Sequence, residues 1–378
     1  RLGTARTILA VVLGGAVVTY GGVSLFVAIF VLVPMAQGLF KTAAIPRRLM
    51  PGAIALGTMT FTMSALPGTP ALQNAIPMPF FGTTPFAAPG LGIIAAAIML
   101  GFGLWWLSRS EAAARRAGEG FDAGTCPELS ADDPSLRERA TIASEFDPAE
   151  LPHGRHTRSD PSFIVALLPL VVVILVNLLM SVVVLPRMDT SFLADERWCA
   201  TSLAGVGGVW AVVVALSVAI LTLIALNFHR LPSLRETMDA GANASVLPAF
   251  SVASLVGFGA VIAALPAFGL VRDWVLSIGG GPLVSLAVAT NVLAALTGSA
   301  SGGMTIALDA LGPTYMRLAG EVGIDPALLH RVAVMSAGTL DSLPHNGAVV
   351  TLLAVCGVTH KQSYLDVFMV AIVGAVIA

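Results

Sequence analysis

Six stretches of this chain, 7–40, 49–108, 161–186, 198–228, 240–271 and 274–308, contain no Asp, Glu, Lys or Arg. A helix needs about 20 predominantly apolar residues to cross a bilayer, and every one of these stretches is longer than that. The chain is therefore expected to be an all-α polytopic membrane protein. Its composition agrees, with 56% hydrophobic and 11% charged residues, against roughly a quarter charged in soluble domains. A net charge of −2, with no basic patch interleaved with aromatics, argues against nucleic acid as a partner. Cys126, Cys199 and Cys356 lie far apart without a CxxC pair, so neither a zinc site nor a disulfide framework is indicated.

Two of the apolar stretches are interrupted in matching fashion. Met63-Ser64-Ala65 is followed eleven positions on by Asn74, in MSALPGTPALQNA. Met335-Ser336-Ala337 is followed at the same offset by Asn346, in MSAGTLDSLPHNG. Broken helices at corresponding places in two halves of a membrane protein point to a transporter's central site. Backbone freed at membrane depth is tolerated only where it is buried in protein or lines a wet cavity. Thr69-Pro70 has the pattern of a helix start, and Ser342 with Pro344 repeats it, leaving His345 and Asn346 in the first turn. Two helix N-termini would then face inward and suit a carboxylate without a buried Arg or Lys.

A glycine and hydroxyl cluster precedes each break: Tyr20-Gly21-Gly22-Val23-Ser24, and Thr297-Gly298-Ser299-Ala300-Ser301-Gly302-Gly303. Such clusters also serve helix packing, but their pairing with matched breaks reads as two ligand-binding tips. We place hairpin segments at about 7–38 and 274–305, broken spans at 52–82 and 328–358, and plain spans at 87–107, 163–185, 205–227, 246–268 and 363–378. One face then receives fifteen of the 20 Lys and Arg, and the other receives Arg187, Arg197, Arg272, Arg317 and Arg331. The positive-inside rule makes the first face cytoplasmic. The two breaks fall in spans of opposite direction, as inverted repeats over 1–107 and 161–378 require. The acidic, proline-bearing 108–160 segment reads as a flexible cytoplasmic linker. The chain, starting at Arg1 and stopping at Ala378 within an apolar run, is read as a fragment lacking N-terminal helices and part of a C-terminal one.

Asp341 and His345 are the ionisable pair nearest a break and the candidates for carrying protons. The first break has no such group. Asp309, Arg317, Glu321 and Asp325 read as a solvated outer loop, and His330 with Arg331 as an interfacial anchor. Gln73, beside Asn74, reads equally as a contact for a substrate hydroxyl and as a polar contact between helices. An intramembrane hydrolase using Ser342, Asp341 and His345 is the competing class. However, Ala300 stands where a G-x-S-x-G elbow needs serine, and neither HExxH nor a GK[ST] loop is present.

At TYGGVSLF, ALPGTPALQNAIP, TGSASGGM and HRVAVMSAGTLDSLPHNGAVVTLLAVCGVTHK the sequence resembles the gluconate permease family of proton symporters, over nearly all of the membrane-embedded chain. The resemblance implies two inverted repeats, each with a re-entrant helical hairpin and a broken transmembrane helix, whose tips and breaks form the substrate site. It implies substrate roles for Gly21, Gly22, Ser24, Thr69 and Asn74, then for Ser299, Ser301, Gly302, His345 and Asn346. The best-known gluconate transporters carry a histidine-bearing sequence at the first break, where this chain reads LPGTPALQNAIP. Gluconate, another sugar acid, 3-hydroxybutyrate and small carboxylates therefore all stay open. The expected protein is a permease of the bacterial inner membrane, a homodimer in one arrangement. It would take up a small organic anion with H+, or alternatively Na+, as coupling ion and without a cofactor.

Overall fold

The computed structural model describes residues 4–23, 25–121, 161–198, 201–231 and 233–378, and among these every regular element is helical. Ser24, Cys126, Cys199 and the linker beyond residue 121 lie outside them. α1 (Thr4–Tyr20) and α2 (Leu25–Thr42) form a hairpin. Its tip depends on Gly22, where φ is +92° and a Cβ would stand 2.7 Å from the Pro70 ring. Only glycine combines that backbone conformation with that approach. The first interrupted span comes next as α3 (Met50–Thr58), α4 (Phe61–Ser64), α5 (Leu72–Ala75) and α6 (Pro77–Phe81), and then α7 (Pro89–Arg116).

In the second part α8 (Phe163–Leu179) runs on through a π turn at Met180–Val184. α9 (Leu203–Asn227), α10 (Leu234–Ala264) and α11 (Pro266–Leu276) come next. α12 (Gly281–Thr297) and α13 (Ala300–Val322) make a second hairpin. The second interrupted span is α14 (Pro326–Leu340) and α15 (Gly347–Val355), followed by α16 (His360–Val367), a π turn at Phe368–Val373, and α17 (Gly374–Ile377). Among the described residues, three segments are long and apolar enough to cross a membrane: Pro89–Arg116, Ile164–Arg187 and Gly205–Asn227. The apolar stretches of the hairpin arms, Arg6–Tyr20, Val27–Thr42 and Gly281–Thr297, are shorter.

Several boundaries differ from the sequence reading. α13 continues to Val322, so Asp309, Arg317 and Glu321 lie on a helix rather than in an outer loop, and Asp325 caps α14 through the Ala327 N–H at 2.8 Å. The charges misled because the buried stripe beneath them, Met304, Leu308, Leu311, Tyr315 and Ala319, has helical spacing only when followed past the charged positions. α7 extends to Arg116, stabilised in its last turns by Arg115 pairing with Glu111 at 2.9 Å. α10 begins at Leu234, and the chain breaks at Leu265, before Pro266. At one end of the molecule Arg48 pairs with Glu119 at 2.8 Å and Asp366 at 3.4 Å, which ties α7, α16 and the start of α3 together.

The packing is reciprocal. α1 and α2 lie on α3, and α12 and α13 lie on α14, so each hairpin covers the leading part of its own broken helix. The trailing parts cross over: α15 packs against α2, and α5 and α6 pack against α13. Val349, Leu352 and Leu353 are accordingly buried in the core built on α1–α3. Met63 and Phe81 are buried in the core built on α12–α14. The two matched MSA segments touch, since a Cβ at Gly338 would stand 3.2 Å from Ser64 Cβ.

The second hairpin closes tightly because Gly303 lets α13 approach the backbone of α12 at Leu293 and Ala294. Gly303→Ala places a methyl on that backbone and should lower the thermal midpoint of the purified protein, at a cost of about 1–3 kcal/mol. Gly320→Ala, on the same helix with open space around it, should leave the midpoint unchanged or raise it. Equal responses of the two variants in a thermal-unfolding assay would contradict this packing.

Candidate functional site

In both halves the hairpin tip meets the break. In the first, Gly22 faces Pro70, and the Tyr20 hydroxyl donates to the Pro67 carbonyl at 2.6 Å. In the second, Asn346 Nδ2 donates to the Gly298 carbonyl and to Asp341 Oδ1, the latter at 2.6 Å. His345 Nε2 lies 3.0 Å from the Ala295 carbonyl on the same tip. Ser299 caps α13 by accepting from Gly302 N–H at 3.2 Å, with Ser301 Oγ 3.1 Å from its own Oγ. Thus Gly21, Gly22, Thr69, Gln73 and Asn74 gather at the first break, and Ser299, Ser301, Gly302, Asp341, His345 and Asn346 at the second. Asp341 and Asn346 are buried there, whereas His345 is exposed.

The helix starts are not where the prolines placed them. Thr69 does not cap a helix. Its carbonyl is taken by Asn74 Nδ2 at 2.9 Å, its Oγ1 accepts from the Ala71 N–H at 3.2 Å, and the next element is only the four-residue turn α5. Ser342 does not cap either. Asn346 does, its Oδ1 accepting from the Ala348 N–H at 2.7 Å, as suits a residue among the best at that position. One four-residue turn sums few peptide dipoles, so the first break gains little positive field from its own backbone.

That field comes instead from a residue the sequence reading set aside. Arg331, on α14, is fully buried against the first break. Its Nε donates to the Ala87 carbonyl at 3.2 Å. Nη1 donates to Ser64 O and Asn74 Oδ1, both at 3.3 Å, and Nη2 to Pro85 O at 3.3 Å and Ala87 O at 2.9 Å. A guanidinium has five N–H groups, and here all five go to neutral acceptors. None of the partners is a carboxylate. Gly92 makes room, since a Cβ there would stand 3.3 Å from Arg331 Nε.

His330 completes the arrangement. Asn74 spends both amide hydrogens on the Thr69 and Pro85 carbonyls, so its Oδ1 faces His330 Nε2, 3.1 Å away, as an acceptor. That assigns the hydrogen to Nε2 and leaves Nδ1 to accept from Thr83 Oγ1 at 2.6 Å. Asn74 therefore holds the break with every polar position engaged. Gln73, half-buried, engages no hydrogen-bond partner among the described residues. His330 and Arg331 are not an interfacial anchor, and the first break is not free of ionisable groups. The available signal was helical phase: Arg331 lies two turns before Gly338, on the face that meets the first MSA segment.

No family model and no solved structure matches the chain. It is 40% identical, over an alignment of 381 positions, to the uncharacterized transporter YxjC of Bacillus subtilis (strain 168), with 98% of this chain and 77% of that protein covered. An alignment covering 98% of this chain spans both hairpins and both breaks. The chain belongs to the transporter family of Bacillus subtilis YxjC.

Proposed function

We propose that the protein imports gluconate or a related small organic acid by proton symport, as a secondary active transporter of the bacterial inner membrane. The observation that carries the anionic substrate is Arg331, a buried cation whose every partner is neutral. Two unit charges about 6 Å apart attract by about 3 kcal/mol at an effective dielectric near 20, roughly a hundredfold in affinity. A carboxylate held between the two breaks would profit from that field without touching the guanidinium, whose hydrogens are committed. The backbone and hydroxyls of Gly21, Gly22, Ser299, Ser301 and Gly302, with Thr69 and Gln73, supply the contacts; of these Gly22 is exposed and Ser299 and Gln73 are half-buried. Asn74 and Asn346 shape the two breaks around them. The resemblance to gluconate permeases supports the substrate class and the coupling ion. The tip-to-break packing in both halves supports the inverted-repeat reading with re-entrant hairpins.

Asp341 is the carboxylate at the second break, and its Oδ1 is already tied to Asn346. Protonation weakens that tie and releases Asn346 from one of its acceptors, which couples proton arrival to the shape of the tip. His345 is the second candidate, on the exposed side.

In proteoliposomes an imposed proton gradient should drive accumulation of labelled gluconate, unaltered chemically and independent of sodium. Uptake that needs sodium and ignores the gradient would reverse the coupling assignment. Asp341→Asn should keep substrate exchange across the membrane while losing accumulation against a gradient; unchanged accumulation would remove Asp341 from the proton path. Arg331→Lys keeps the charge with fewer donors, so it should lower thermal stability while holding anion affinity within about tenfold of wild type. Arg331→Met loses both and should weaken binding by about a hundredfold. Equal affinity in the Met variant, measured by calorimetry, would show that the charge does not act on the substrate.

A further inference from the structure

α8 presents polar groups to the first break that none of the functions above uses. The span Ile164–Arg187 is otherwise among the most apolar in the chain, and before Pro186 and Arg187 its polar residues are Asn177 and Ser181 alone. They lie one turn apart on one face. The opposite side, with Leu168, Val171, Leu175 and Leu178, is exposed as a lipid-facing surface should be. Asn177 is fully buried, and its Nδ2 donates to the Gly68 carbonyl in the first break at 3.1 Å. Two turns earlier, Leu170 fills the space over Gly21 at the hairpin tip. The face of α8 thus runs along both components of the first half-site.

Helix contact explains only half of this pair. The bond to Gly68 occupies the amide nitrogen, while Asn177 Oδ1 and Ser181 Oγ are both buried without a hydrogen-bond partner. An unpaired buried polar atom is costly, and two on one turn of a lipid-facing helix are doubly unusual. The helix opens into the π turn at Met180–Val184 at the same place, a distortion frequent at functional sites. Gly68 lies between α8 and the buried cation: its N–H donates to the Pro85 carbonyl at 2.9 Å, which also accepts from Arg331.

We propose that Asn177 Oδ1 and Ser181 Oγ form a subsite for a hydroxyl group of the transported acid. The proposal rests on the organic-anion reading above. An amide oxygen repels a carboxylate and accepts from an O–H, so the carboxylate end turns towards Arg331 and the hydroxyl-bearing carbon towards α8. Ser181, donor and acceptor at once, takes the same hydroxyl or its neighbour.

The test uses the full chain in proteoliposomes and three matched pairs of acids: lactate and propionate, 3-hydroxybutyrate and butyrate, gluconate and hexanoate. The hydroxylated member of at least one pair should compete for uptake at least about tenfold better than its partner. Asn177→Leu and Ser181→Ala should each shrink that ratio by about tenfold, with competition by the hydroxyl-free acid changed less than about twofold. Ser181→Ala leaves the Gly68 contact intact and so stands if the Leu variant does not fold. An unchanged ratio in Ser181→Ala, or equal loss for both members of a pair, overturns the subsite. Uptake of acids without any hydroxyl preference sinks the subsite and leaves the transport reading standing. No uptake of any acid removes both.

Discussion

One guanidinium organises the middle of this molecule. Breaking a helix at membrane depth frees carbonyls that lipid cannot solvate, and each costs as much as a lost hydrogen bond or more. Arg331 reaches across from α14 and gives hydrogens to Ser64, Pro85 and Ala87, which border the interruption after α4. The side chain that stabilises the first break is thus carried by the leading part of the second broken helix. Neither interruption is a local property of its own sequence. Asn74 and His330 extend the same logic, each filling its hydrogen-bonding positions with the other or with the loop.

The architecture of interlocked halves is a consequence of this sharing. Each hairpin buries the leading segment of its own broken helix and the trailing segment of the other's. The two cores share members across the halves, Val349 and Leu352 in one direction, Met63 and Phe81 in the other. Segments as short as α5 and α6 have no stability of their own in water or lipid. They exist because α13, α14 and Arg331 hold them.

Much of this was legible in the sequence, and the omissions share a cause. The uncharged runs specified helices in a membrane, and the matched MSA segments located both breaks. The glycine clusters located both tips, at Gly22 and Gly298. What the sequence reading missed were charged or polar residues whose meaning is set by helical phase. Arg331 looked like an anchor because it borders a loop, Arg317 and Glu321 looked like loop because they are charged, and Asn177 was lost inside an apolar run. Periodicity continued across such positions would have kept α13 whole. No periodicity could have shown that the acceptors of Arg331 lie in the other half of the chain, at Ser64 and Ala87.

The crossed burial also governs how such a chain can be made. Helices enter a membrane in the order of synthesis, and the first hairpin emerges long before the residues that complete its core. Until α15 has been translated, the apolar surface of α1–α3 lacks Val349, Leu352 and Leu353, the side chains that complete its core. The freed carbonyls after α4 likewise wait for a donor that arrives with α14. The early intermediates therefore contain an interrupted helix without its clamp, and cellular quality control meets this protein first as an unfinished site.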